Sequence, residues 1–395
     1  MKILVLTLRI PYPPVDGGSM AMYAVIQELT KAGNEVTLLS LNTNKHFQAI
    51  SNLENSVKQV ISVPINTAIK PKDALLNLLF SKLPYNVARF LSVDFSRILQ
   101  RILRDHTFDV IQLEGVYLAL YLDAIRHISQ TPVILRAHNL EYEIWERMAA
   151  TERNILKRWY YGILAKRGKI FELQYLNQFN GIVAITAKDA LSFQQFGAKC
   201  PLTVVEAGIN YQQLSQESTP TPAQTAAFIG SLEWLPNIQG LEWFCQNVWP
   251  IVLQKIPQAT LTIAGRNPSK EILNWKKENI RVVGQVPDAV QFLKDHFITV
   301  VPLLAGSGMR VKILESMALG RCVITTRIGA EGIDYQDGKN IIIADIPEHF
   351  AQAIITVMKN PDQAIEIGNN ARMLAQKYDW QILTQKLLNF YQQVV

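Results

Sequence analysis

The feature that most narrows what this chain can fold into is a rhythm. Short apolar runs recur between helical stretches, stop at one polar, proline-rich segment, and then begin again. Lys2 to Leu8 is an almost unbroken apolar run, as a parallel strand covered on both faces requires. A loop with Pro11, Pro13, Pro14, Gly17 and Gly18 follows. The next segment reads as a helix from about Ser19, whose hydroxyl suits an N-cap, to Lys31, closed by Gly33. Glu35 to Leu41 (EVTLLSL) then reads as a second strand. Similar runs occur at Asp109–Leu113, Val133–Ala137 and Gly181–Ile185. Strands alternating with helices predict an α/β protein with a doubly wound parallel sheet.

Around Tyr211 to Thr225 the composition turns polar and Pro-rich (YQQLSQESTPTPAQT), the expected linker. After it the rhythm restarts, with strands expected at Ala226–Gly230, Thr260–Gly265, Ile280–Gly284, Thr299–Leu303 and Cys322–Thr325. At 395 residues the chain exceeds the usual single-domain size. Two Rossmann-like domains are therefore expected, residues 1–210 and 225–375, followed by a terminal helical segment, 376–395.

Composition trims the possible functions. Hydrophobic residues make up 49% and charged residues 18%, which excludes a disordered chain. A net charge of +6 favours anionic partners such as nucleotide diphosphates, phospholipid head groups or nucleic acid, without choosing among them. Nucleic acid is not expected, because the basic residues are scattered and no recognised motif appears. Cys200, Cys245 and Cys322 include no CxxC pair and read as reduced thiols in a cytoplasmic protein. The N-terminus, interrupted by Arg9 and prolines, reads as a strand rather than a secretory signal. No window approaches a membrane-spanning length of apolar residues.

The most informative stretch is Pro302 to Ile333, PLLAGSGMRVKILESMALGRCVITTRIGAEGI. A strand ends near Leu303, and Gly306-Ser307-Gly308 turns into a helix. Its first turn offers free N–H groups and a partial positive charge, with Arg310 and Lys312 adding full charges. A diphosphate leaving group carries about two to three negative charges, and without metal it must be met by such groups. In an open α/β sheet the carboxyl edge is the place for them. A bare Gly-Ser-Gly would serve equally as a solvated surface turn; the whole string is more specific.

This stretch resembles the donor-site region of retaining glycosyltransferase family 4, of the GT-B fold, and the resemblance extends over almost the whole chain. It implies two Rossmann-like domains facing across a cleft, with the terminal helix, opened by Tyr378-Asp379-Trp380, crossing back to the first. It implies transfer from a UDP- or GDP-linked sugar, with no metal and no further cofactor. Glu315 matches the second of a pair of family glutamates and would bind the donor ribose; the first position falls on Ser307. Glu331, in Gly329-Ala330-Glu331-Gly332-Ile333, lies in the family's second glycine-rich turn near the nucleotide. Gly17 and Gly18 sit where the family has a glycine loop toward the donor phosphates. His138, ending the Val133–Ala137 run, matches a histidine that approaches the transferred sugar. A lone histidine is otherwise often a satisfied core residue, but its place at a strand's carboxyl end favours the functional reading. After Phe228-Ile229-Gly230, Ser231 stands where family members often carry Arg, so Arg310 and Lys312 are expected to take over that charge. Gly308 belongs to the diphosphate turn, and Val286, after Gly284-Gln285, to the turn where backbone atoms read the base.

The implied partners are a nucleotide sugar and a glycan, glycolipid or other hydroxyl acceptor, in polysaccharide or cell-envelope glycan synthesis. From Arg153 to Lys169 (RNILKRWYYGILAKRGK) basic residues interleave with aromatics on one helix. It either packs its aromatics inward or lies on an anionic membrane, a candidate peripheral contact at the inner face. Ala74–Phe90 either lines an acceptor groove or is core. Two other functions fit the fold: a nucleotide-sugar epimerase, for which no clear carboxylate pair is visible, and a non-catalytic binding protein.

Overall fold

The structure, a computed structural model, describes residues 1–14, 17–50, 53, 57–152, 154–215, 221–273, 275, 279–306 and 308–395. Among these, thirteen strands form two all-parallel sheets. The first comprises β1 (Lys2–Thr7), β2 (Glu35–Thr43), β3 (Gln59–Ile65), β4 (Val110–Glu114), β5 (Val133–Ala137), β6 (Gly181–Ala184) and β7 (Leu202–Val204). Their order is β3-β2-β1-β4-β5-β6-β7. The second comprises β8 (Thr225–Ile229), β9 (Thr260–Ala264), β10 (Ile280–Gly284), β11 (Ile298–Val301), β12 (Cys322–Thr325) and β13 (Ile342–Ile343), in the order β10-β9-β8-β11-β12-β13. β1, β4, β5, β6, β11 and β12 are buried on both faces almost throughout. That is why they read as unbroken apolar runs.

β3, β7 and β13 escape the apolar-run reading. Each is an edge strand, and its residues are largely half-buried or exposed. The first helix opens at Gly17, two residues before the expected Ser19.

The chain divides into two compact units, Met1–Glu206 with Thr384–Val395, and Ala207–Leu383. Both breaks differ from the expected ones, for a backbone reason. Ile209 N–H bonds the Tyr378 carbonyl at 2.9 Å, Trp380 N–H bonds the Ile209 carbonyl at 3.0 Å, and Tyr211 N–H bonds the Asp379 carboxylate at 3.0 Å. The first residues of the expected linker are thus tied to the segment before the last helix, and both belong to the second unit. Residues 216–220 of that linker lie outside the described residues. The last helix, Trp380–Val394, changes unit at Thr384.

In each sheet the strand order reverses once, between β1 and β4 and between β8 and β11. Loops leaving the carboxyl ends of such a pair run to opposite sides and leave a crevice, where ligands bind in open α/β sheets. Among the described residues, no helix is long and apolar enough to cross a membrane.

Candidate functional site

In the second unit the reversal brings the turn after β8 beside the helix Val311–Ala318 that follows β11. Lys312 lies one residue inside that helix and reaches back across the crevice. Its Nζ donates to Asn237 Oδ1 at 3.1 Å and stands 4.2 Å from the centre of the Phe228 ring. Asn237 Nδ2 in turn donates to the Ser231 carbonyl at 2.8 Å. A Cβ placed on Gly230 would come within 2.9 Å of both Lys312 Nζ and Asn237 Nδ2. Only glycine lets the backbone pass this close to the ammonium. Burial, and then the neighbouring Arg310 charge, pull the Lys312 ammonium down to about 7. Among the described residues no carboxylate pairs with this buried amine.

Arg310 is buried, its Nη1 donating to the Gly308 carbonyl and its guanidinium 5.7 Å from the centre of the Trp234 ring. The turn around it needs glycine, with φ at +125° for Gly306 and +80° for Gly308. A Cβ on Gly306 would meet Arg310 Nη2 at 2.7 Å and the Trp234 ring at 3.1 Å. The helix has no acidic residue in its first turn and no side-chain cap. Ile313 N–H bonds the Arg310 carbonyl at 2.8 Å, and among the described residues no side chain caps this helix end beside its two cations. Ser307 lies outside the described residues.

Glu315 lies one turn beyond Lys312, half-buried, with its carboxyl raised above the usual range by burial. Among the described residues it has no side-chain hydrogen bond or ion pair, leaving its oxygens to accept from a ligand hydroxyl. Gly329 and Glu331 lie in the turn after β12, which is fixed to the end of β11. Thr325 Oγ1 donates to the Val301 carbonyl at 2.7 Å, Thr326 Oγ1 donates to the Leu303 carbonyl, and Gly329 N–H donates to Thr326 Oγ1 at 3.0 Å. Val286 packs on the same apolar cluster as Met309 and Val311. Ser231 contributes its backbone carbonyl, through Asn237, rather than a hydroxyl in the Arg position.

The first unit holds a separate polar cluster at the carboxyl ends of β4 and β5. Glu114 and Arg136 are register partners on these adjacent strands, both fully buried in their side chains, with Arg136 Nη1 donating to Glu114 Oε2 at 3.0 Å. His138 Nε2 lies 2.5 Å from the same oxygen, with 21% of its side chain exposed. Gln112 Nε2 donates to Glu114 Oε1. Burial acts to raise the Glu114 carboxyl, but Arg136 and His138 outweigh it and hold it at about 2. The carboxylate accepts, so His138 Nε2 is the donor of this bond. His138 is thus not an ordinary core histidine bonded to a carbonyl. Gly17 and Gly18 form the first turn of the helix Gly17–Lys31, beside β1; a Cβ on Gly17 would meet nothing within 4 Å.

Trp234, Asn237, Gln112, Glu114 and Arg136 were not among the residues singled out from sequence. The last two did leave a signal: one charge of each sign stands in the mostly apolar runs VIQLE and VILRA.

The model of Glycosyltransferase Family 4 matches residues 15–213, and that of Glycosyl transferases group 1 matches residues 223–360. The chain belongs to glycosyltransferase family 4, and its two parallel-sheet domains are of the GT-B type. It is 26% identical over 390 residues, 96% of each chain, to a 44.6 kDa protein in the cps region of Klebsiella pneumoniae. Its fold is similar to that of HepE from Anabaena in complex with UDP, with a TM-score of 0.65 at 15% identity over 100% of both chains. It also resembles sucrose-phosphate synthase from Thermosynechococcus elongatus, with a TM-score of 0.67 at 14% identity, covering 100% of this chain and 99% of that one.

Proposed function

We propose that this glycosyltransferase moves a sugar from a UDP- or GDP-linked donor to a hydroxyl of a glycan, glycolipid or other acceptor. Anomeric configuration is retained, no metal or cofactor is required, and the product enters polysaccharide or cell-envelope glycan synthesis. The observation that carries this reading is the Lys312 ammonium, held by Asn237 and Phe228 against the bare backbone of Gly230. The cps-region relative supports the pathway, and the complex of HepE with UDP supports the kind of donor.

In this mechanism the bond between the anomeric carbon and the diphosphate oxygen breaks as the acceptor oxygen bonds that carbon from the same face. The acceptor proton passes to the departing phosphate oxygen, so no protein carboxylate acts as base. Arg310, Lys312, Gly308 and the helix N-terminus receive the growing charge. Glu315 accepts from the ribose hydroxyls, Glu331 and its turn adjoin the nucleotide, and the backbone at Val286 reads the base. Gly17, Gly18 and His138 are assigned to the transferred sugar.

Lys312→Ala is expected to lower kcat by about a hundredfold or more in a protein that still folds, as circular dichroism would check, and a loss below about tenfold would remove Lys312 from the leaving-group site. The reaction with a panel of nucleotide sugars is followed by NMR in the presence of EDTA. Retention of the donor's anomeric configuration in a transfer product is the expected outcome. Donor isomerisation would make the chain an epimerase, binding without turnover would make it a binding protein, and loss of activity in EDTA would establish a metal requirement.

A further inference from the structure

The helix Pro71–Phe80 stands apart in the first unit, because none of its ten residues is buried. Yet Leu75, Leu76, Leu79 and Phe80 are all exposed, Phe80 by 83%. The expected core packing is met only in part on this side of the unit: Val87 and Leu164 are buried, whereas these side chains are not. On the neighbouring helix Ile155–Tyr175, the first turns also present Ile155, Leu156 and Trp159 to solvent, Leu156 by 77%. The two helices are fastened together. Arg167 donates to the carbonyls of Asn77 at 3.2 Å and Leu78 at 2.8 Å. The short helix Tyr85–Ala88 packs on Ile155–Tyr175, and its Tyr85 hydroxyl accepts from the Lys70 N–H at 3.1 Å. An exposed apolar surface of this kind marks an interaction site.

Charge selects the partner. Residues 69–82 carry Lys70, Lys72 and Lys82 against Asp73 alone, and residues 154–171 carry five basic side chains and no acid. A second copy of the chain docking by the same face would set these cations against themselves. An anionic bilayer satisfies both properties, with apolar and aromatic side chains entering the boundary between headgroups and acyl chains while lysines and arginines meet lipid phosphates.

We propose that the paired helices Pro71–Phe80 and Ile155–Tyr175 form a docking surface for an anionic lipid bilayer, with Leu79, Phe80, Leu156 and Trp159 as the inserting side chains. This surface is independent of the donor site and of the reaction assigned to it.

Sedimentation of the full chain with vesicles of phosphatidylcholine alone, or mixed with phosphatidylglycerol, tests it. The wild type is expected to bind the mixed vesicles, and less so as salt is raised. The triple variant Leu79→Ser, Phe80→Ser, Trp159→Ser and the charge variant Lys157→Glu, Arg158→Glu are each expected to lower the bound fraction at limiting lipid by about tenfold. Because these side chains are exposed, melting temperatures should not move, and the charge variant reports even if the apolar one folds poorly. Three results would overturn the proposal: no binding to the mixed vesicles, equal binding to phosphatidylcholine alone, or undiminished binding by both variants. A dimer that sediments in the wild type and disappears in the triple variant would assign the face to a second copy instead.

Discussion

Lys312 and Glu114 are held in opposite electrostatic regimes, and pH separates them. The Lys312 ammonium falls from its ordinary 10.5 to about 7 through burial and Arg310. The unfolded chain therefore keeps this proton longer than the folded one. The contribution of Lys312 to stability is least below about 7 and rises as pH climbs from there toward 10.5. A bound diphosphate reverses the balance by favouring the charged form. UDP affinity, measured by calorimetry, is expected to weaken from about pH 6 to about pH 8.5 more steeply than in Lys312→Met, which retains only the nucleotide's own titration. Equal slopes in the two proteins would place the anion elsewhere. Glu114 has the depressed carboxyl, about 2 against an ordinary 4.5. Its stabilisation is complete above 4.5 and is lost as pH falls toward 2. Glu114→Gln leaves Arg136 buried without its counter-charge and is expected to cost about 3–5 kcal/mol in urea unfolding at neutral pH. A cost below about 1 kcal/mol would show that the pair holds little. Arg310 and Lys312 were legible as cations beside a glycine turn. Asn237 and Glu114 were not, because what they do depends on a partner in a different strand or loop.

At the scale of elements, the helix Glu141–Thr151 lacks a cap of its own. Its N-cap residue is Leu140, which has no side-chain acceptor. The acceptor comes from the next helix, where Glu172 receives the Tyr142 N–H at 2.7 Å. Burial is the main reason the Glu172 carboxyl rises to about 8, so at neutral pH it is mostly uncharged. The unfolded chain releases this proton near 4.5 and the folded one near 8, so wild-type stability declines between those values. Glutamine keeps the acceptor oxygen and has no proton to lose. Glu172→Gln is therefore expected to gain in melting temperature on the wild type as pH is raised from about 5 to about 8, with the difference constant above that. A parallel pH dependence in the two proteins would refute this role. Sequence foretold a helix over Arg153 to Lys169, and left the fate of its apolar residues open. Leu164 and Phe171 are buried while Leu156 and Trp159 are exposed, a division that depends on which neighbours each turn meets.

For the molecule as a whole, the second unit is one continuous segment, whereas the first is completed by Thr384–Val395. That segment covers β6 closely: a Cβ on Gly181 would lie 2.9 Å from the Phe390 ring, and Tyr391 is fully buried. Burial and the nearby Glu114 push the Tyr391 phenol well above its ordinary value. Removal of residues 384–395 is expected to lower the melting temperature of the first unit, followed by hydrogen exchange on β4 to β6, while the β8 to β12 amides keep their protection. Equal loss in both sheets would contradict this division. The amino-acid sequence by itself determined the doubly wound class, the restart of the pattern after residue 225, and the cations Arg310 and Lys312 beside the glycine turn that follows β11. It could do so because strands buried on both faces and turns that admit only glycine are written in consecutive residues. The tertiary structure alone decided the edge strands, the shared carboxylate of Arg136 and His138, the Asn237 seat of Lys312, and which apolar helix faces stay in solvent. Each of these depends on residues far apart in the chain meeting across parallel strands or helix pairs, and no local pattern encodes such a meeting.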